Sequence, residues 1–448
     1  MAGPVTGRER LSAADASNLV MDAHDQVNVF LMAGVLGPGG PIGGDGSPDV
    51  AALRTAFAAV VPSAPRLSQQ IVPDGRKFAW EPVSLDLSEH VRLVDPVDGL
   101  SGLEALCAQL MVTPLPLDRP LWELLLVPGV APRRTGLVFR IHHAMADGVA
   151  AVRLIELLLD PGAMENGSDV AALGSPAVAK PRSIDEAVVQ PAARVSPSLR
   201  TRWRTLASGV ERTTAVFRHA VPRTALLGPI GPRRGIAFVD MPLDALGAGA
   251  VTAGATINDA LLTAVVAAAE GALRARGEPV PQVLPATVPV ALADRGRSGN
   301  AVGVMLVPLP TGIADVATRL RRVAELTRPR KADARARGTF ELTRTRVGTM
   351  LFSRFVRYQR LIVMFVSNVR GPRHPLALAG APLEHVWPIG PVQGNVRLGV
   401  AALSYDGLLR CGVHVDADAL DAEVFGDALR RELERVAALA GAANDVPG

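Results

Sequence analysis

The pair His142-His143 closes a β-like run, "GLVFRIHH", and Asp147-Gly148 follows four residues after the second histidine. Three kinds of chemistry fit these residue types: a buried histidine satisfied by hydrogen bonds, a general base oriented by a neighbour, or a metal site built from His142, His143 and Asp147. Adjacent side chains of a strand point to opposite faces, so Leu137, Phe139, Ile141 and His143 share one face, and Val138, Arg140 and His142 the other. Diverging imidazoles do not meet on one ion, and no HExxH helix or cysteine cluster supplies further ligands, so no metal is expected. A general base needs a single imidazole at the mouth of a cleft. His143 ends the apolar face, where a greasy substrate could lie, and is the candidate base. His142, Asp147 and Gly148 then position the motif, Gly148 by letting the backbone turn sharply into the next helix. Spacing alone leaves the purely structural reading of the pair open.

The elements that must hold these residues are legible around them. "GLVFRIHH" reads as a strand and "GVAAVRLIELLLD" as a helix with Val149, Val152, Ile155 and Leu159 near one face. Upstream, "GLEALCAQLMVTPLPLDRPLWELLLVPG" passes from helix through a proline-rich turn into another strand. From Pro161 the texture changes to Pro, Gly, Ala and Ser, with a basic helix following, as in a flexible linker. A second α/β region opens near Ile236, and "VRLGVAALSYDGLLRCGVHVD" reads as a hairpin turned at Asp406-Gly407. The expected domains are therefore 1–160, carrying the histidine motif, a linker over 161–235, and a second region over 236–448.

Composition sets limits. Hydrophobic residues make up 48% of the 448-residue chain while aromatics make up 4%, so a large core must be built from Ala, Val and Leu. Basic charge is nearly all arginine, yet the net charge is only +4. Clusters such as "LRTRWRTLASGVERTT" and "TRPRKADARARG" suit either phosphates or a solvated helix face, and no nucleic-acid partner is expected. Cys107 and Cys411 are the only cysteines, too few for a disulfide framework. The N-terminal stretch has no apolar core of signal-peptide length, and no uninterrupted apolar run approaches the roughly 18–20 residues of a membrane span. The expected location is cytoplasmic, with contact to membranes only from the side.

The full HHxxxDG, His142 to Gly148, resembles the signature of the CoA-dependent acyltransferase superfamily. Further blocks resemble one branch of it, the bacterial wax ester synthase/acyl-CoA:diacylglycerol acyltransferase family: Pro120-Leu121-Trp122, Asn258-Asp259 in "GATINDALLTAV", the strand "GNAVGVMLVPLPTG", and "FVSNVRGP". They fall in the family's order along nearly the whole chain. The resemblance implies an α/β (α+β) fold of two chloramphenicol acetyltransferase-like subdomains joined by a long crossover linker and clasping a tunnel. It implies acyl transfer from acyl-CoA, a substrate rather than a cofactor, to diacylglycerol or a long-chain alcohol, and it allows peripheral association with membranes or lipid droplets. His143 carries over as the base, with Asn258, Asp259, Ser367, Asn368, Pro120, Leu121 and Trp122 as substrate-side candidates. Two of these also have structural readings: Trp122 as a core anchor, and Asp259 as the partner of Thr256 in a capping box.

The chain departs from the family in places. Arg370 stands where the family has proline, and "ALADRGRSGN" lacks the usual Ser and Arg after the "VPV" strand, with Arg295 or Arg297 as the nearest substitutes. Two rival readings stay open: an acyltransferase for another alcohol or an amine, and a lipid-binding homologue without catalysis, which rests on these departures.

Overall fold

The computed structural model describes residues 7–22, 26–75, 77–159, 220–291, 302–337, 354–372 and 374–444. Most of the expected linker with its basic helix, and the segment bearing Arg295 and Arg297, lie outside the described residues.

The N-terminal half runs β1 (Glu9–Arg10), α1 (Ala13–Met21), β2 (Val29–Leu36), α2 (Val50–Val60), β3 (Gln69–Asp74), β4 (Lys77–Pro82), α3 (Leu87–His90), β5 (Val91–Leu93), α4 (Gly99–Leu110), β6 (Trp122–Ala131), β7 (Arg134–His142) and α5 (Gly148–Leu159). The C-terminal half runs β8 (Arg234–Pro242), α6 (Leu243–Thr252), α7 (Ile257–Ala275), β9 (Val283–Ala291), β10 (Val302–Pro310), α8 (Val316–Arg337), β11 (Met364–Arg370), β12 (Ala377–Leu378), β13 (Ala381–Ile389), β14 (Leu398–Tyr405), β15 (Leu408–Asp416), α9 (Ala422–Ala437) and α10 (Leu439–Asn444).

Two six-stranded sheets carry the fold, ordered β12-β13-β2-β7-β6-β5 and β10-β9-β11-β14-β15-β8, beside a small β1-β4-β3 sheet. Every residue of β2 is buried and nearly every residue of β7, because helices cover both faces of their sheet; such strands read as continuous apolar runs rather than alternating ones. Phe57 of α2 and Ile155 and Leu158 of α5 close over Leu137 and Phe139. In the second half, α7 is the core helix, buried along most of its length from Asp259 to Leu273. The β14–β15 hairpin turns at Asp406 (φ 47°) and Gly407 (φ 73°), the two positive φ values that a type I′ turn requires.

The chain does not divide cleanly at residue 236. β13 pairs with β2, so residues 377–389 complete the N-terminal sheet although they belong to the second half of the sequence. Pro382 and Pro388, together with the register shift between Leu383 and His385, spoil the alternation that would have marked this strand. The crossover ties the halves together, as does a buried clamp in which Gln26 Nε2 donates to Gly394 O (2.9 Å) and Gly394 N donates to Gln26 Oε1 (2.8 Å).

Among the described residues no single helix is long and apolar enough to cross a membrane.

Candidate active site

β7 ends at His142, so strand alternation stops one residue short of His143. What places His143 is its backbone: its N–H donates to Asn28 O (3.0 Å), and its carbonyl accepts from Asn18 Nδ2 (3.1 Å). Asn28 is itself held, its Nδ2 donating to Asn18 O and its N–H to Asp22 Oδ1, each at 2.9 Å. The other face of the same Asp22 carboxylate lies 3.5 Å from His142 Nε2. His142 Nδ1 accepts the Ala144 N–H (3.0 Å), which puts the ring proton on Nε2, facing Asp22. The two imidazoles thus have separate surroundings, His142 buried against a carboxylate and His143 half-buried at the wall of a cavity.

Asp147 is the N-cap of α5: its Oδ1 accepts from Ala150 N (2.8 Å) and its carbonyl from Ala151 N (2.7 Å). Gly148 differs from expectation. It is not among the glycines with positive φ, and a Cβ there would meet only Val369 Cγ2 at 4.0 Å. No sharp turn demands it; Gly148 lines the cavity and leaves room there.

The cavity has a volume of about 700 Å³ and lies between the halves. His143, Gly148, Val149, Val152, Arg153 and Glu156 form one wall, and Phe365, Ser367, Asn368 and Arg370 of β11 face them. Pro289 explains why there is space. β11 pairs with β9 only at Met364 and Phe365, and the next turn of the β9 ladder reaches Pro289, which has no N–H to give. The strands part, and Pro289, Ser367 and Asn368 all border the gap. Gly371 then seats the end of β11 against β14, since a Cβ there would lie 2.2 Å from Ser404 O. A second cleft, of about 770 Å³ between α4, β8 and residues 417–430, contains none of His143, Ser367 or Asn368.

The other candidates lie elsewhere. Leu121 and Trp122 are buried in the first core: Trp122 stacks on His90 (centroids 4.5 Å apart) and its Nε1 donates to Leu67 O (2.9 Å). Their link to the motif is through the backbone, since Leu121 O accepts the His142 N–H (3.0 Å). Asp259 forms the capping box with Thr256, and its Oδ1 accepts from Thr327 Oγ1 (2.6 Å). Neither Pro120, Leu121 and Trp122 nor Asn258 and Asp259 line the cavity of His143. Sequence reasoning missed Asn18, Asp22, Gln26 and Asn28, although their density of amides and carboxylates just before an all-apolar strand was a signal of buried hydrogen bonding.

Burial, and secondarily the neighbouring His142, pushes the His143 pKa down from 6.5 to about 4. The ring is therefore neutral and able to accept a proton across the neutral range. Since kcat/KM reports the free enzyme, its acid limb is expected near pH 4, and an inflection at 6.5 in a pH–rate profile would contradict this. Linkage gives the same sign for stability. The unfolded chain takes up this proton first, so the contribution is intact above pH 6.5 and is lost as pH falls toward 4. Burial pushes the thiols of Cys107 and Cys411 far up, which leaves neither as a nucleophile.

Residues 11–261 match the wax ester synthase/diacylglycerol acyltransferase catalytic domain, and residues 298–437 match the family's C-terminal domain. The chain belongs to this family. A Mycobacterium tuberculosis protein named as a diacylglycerol O-acyltransferase is 29% identical to this acyltransferase, over 95% of this chain and 90% of its own. A second from the same organism is 28% identical over 89% of each. The solved wax ester synthase/diacylglycerol acyltransferase of Marinobacter aquaeolei VT8 matches with a TM-score of 0.69 at 21% identity, covering 96% of this chain and 100% of that one. The first condensation domain of the CDA synthetase matches with a TM-score of 0.59 at 18% identity, covering 97% and 96%. At such identities the structures speak for the fold, the two-subdomain acyltransferase architecture, while the family match makes the chain an acyl-CoA-dependent acyltransferase.

Proposed function

We propose that this acyltransferase moves a long-chain acyl group from acyl-CoA to diacylglycerol, to a long-chain alcohol, or to both, with His143 as general base and no acyl-enzyme. The observation that carries the reading is the placement of a neutral imidazole on the wall of a cavity whose facing wall is the parted end of β11.

The acceptor hydroxyl gives its proton to His143 as its oxygen attacks the thioester carbonyl. A C–O bond forms, the carbonyl oxygen takes the charge, and collapse breaks the C–S bond; the imidazolium returns the proton to the departing thiolate. Ser367 or Asn368 is the donor proposed for the oxyanion, a contribution of roughly 3 kcal/mol where such a donor has been removed elsewhere. Their support is position: β11 loses its β9 partner after Phe365 while staying paired with β14, and Ser367 and Asn368 both line the cavity. Acyl-CoA enters as a substrate, and no metal or further cofactor belongs to this scheme. The acceptors reside in lipid, and a cytoplasmic enzyme working at the surface of membranes or lipid droplets is part of the same proposal.

Thiol release from palmitoyl-CoA by the purified enzyme tests the assignment, with diacylglycerol, hexadecanol, a short alcohol and hexadecylamine compared as acceptors. Release is expected to be fastest with diacylglycerol or hexadecanol. If neither raises the rate above that without acceptor, the assignment fails.

A further inference from the structure

We infer that Arg370 is an anion-recognition residue at the rim of the cavity, taking the phosphates of the donor's nucleotide end. This rests on acyl-CoA being the donor. Arg370 is exposed and lines the cavity of His143, and its side chain makes no hydrogen bond or ion pair among the described residues. Several other arginines are held by carboxylates: Arg134 by Glu384, Arg140 by Glu123, Arg397 by Asp416 and Arg410 by Asp240. An unpaired guanidinium on the wall of a substrate cavity is a planar fork of donors suited to phosphate oxygens.

The backbone beneath it is fixed. Arg370 is paired in register with Ser404, and the next residue, Gly371, donates its N–H to Ser404 Oγ (3.2 Å). Arg370 lies three positions beyond Ser367, about 10 Å further along β11, and is exposed where Ser367 is half-buried. Arg153 lies on the opposite wall, so guanidinium groups from both halves flank the opening. Among the described residues the one carboxyl lining the cavity is Glu156, half-buried, whose ionisation burial opposes and Arg153 and His374 favour. Neither the acyl chain nor a diacylglycerol or alcohol acceptor carries charge. The anions of the proposed reaction are the phosphates of coenzyme A, and Arg370 stands where the far end of a thioester held at His143 leaves the protein.

The test compares the wild-type enzyme with Arg370→Ala and Arg370→Lys, using palmitoyl-CoA and the phosphate-free thioester S-palmitoyl-pantetheine, each with hexadecanol. Arg370→Ala is expected to raise KM for palmitoyl-CoA about tenfold, with kcat changed less than twofold and KM for the pantetheine thioester unmoved. Arg370→Lys should recover part of the loss, and added salt should raise the wild-type KM for palmitoyl-CoA more than that of Arg370→Ala. An equal change on both donors, or no change on either, overturns the inference. So does a defect that appears only with an anionic acceptor such as lysophosphatidic acid, which would give the subsite to the acceptor instead. Absence of wild-type turnover with palmitoyl-CoA would count against the proposed function itself, not against Arg370 alone.

Discussion

Replacing His143 by alanine is expected to lower kcat by about 10²–10⁴-fold, the range over which a positioned general base contributes. The fold should survive, because what anchors this residue is main chain: the contacts from its N–H to Asn28 and from its carbonyl to Asn18 do not need the ring. A thermal melt close to wild type combined with the loss of turnover would assign the effect to chemistry. His142→Ala should behave differently. That ring is buried, accepts from Ala144 N and faces the Asp22 carboxylate, so its removal opens a void and disturbs the loop that carries the base. Loss of stability should accompany any loss of rate there. Equal melts and equal rates for the two variants would erase the distinction drawn between the histidines.

The second large effect is on stability. Glu123→Ala is expected to cost about 3–5 kcal/mol, because it strands a buried charge. Glu123 of β6 and Arg140 of β7 are direct cross-strand partners, with side chains only 8% and 2% exposed. Burial lowers the Arg140 pKa and Glu123 is the largest influence restoring it. Arg140 also donates to Thr113 O, but no other carboxylate is given to it among the described residues, while Glu123 additionally holds the half-exposed Arg92 (2.6 Å). Since Arg140 lies two residues before His142, activity should fall with stability rather than ahead of it. Urea unfolding of Glu123→Ala and of a double variant, Glu123→Leu with Arg140→Met, separates the possibilities. The double variant should regain much of the loss, as replacement of a buried pair by apolar groups of like volume is often near neutral. A single variant within about 1 kcal/mol of wild type would show that Arg140 finds compensation elsewhere.

How far the sequence could be read depended on whether a feature is local. The strand before the histidines, the helix after them, the Asp406-Gly407 hairpin and the capping box at Thr256 and Asp259 all follow from neighbours in sequence, and the structure shows each of them. β13 was not legible, because joining β2 is a pairing across some 350 positions and its prolines hide the strand signal. The supports of His143 were equally hidden: Asn18, Asp22 and Asn28 look like turn and cap residues until the tertiary fold brings them under the motif loop. Alternation correctly parts adjacent side chains but says nothing of a residue beyond the strand end, and His143 is such a residue. The motif-bearing blocks divided for the same reason. Asn368 and Ser367 border the cavity, whereas Trp122 and Asp259 serve packing and capping at a distance from it.

In direct transfer His143 activates the acceptor and the protein itself is never acylated. The most direct measurement is a stopped-flow trace of thiol release after mixing enzyme with palmitoyl-CoA, with and without hexadecanol. Without the acceptor no pre-steady-state burst should appear, and with it release should begin at once in the wild type and be absent in His143→Ala. A burst of one thiol per enzyme in the absence of acceptor, preserved in His143→Ala, is the signature of an acyl-enzyme and would contradict the account.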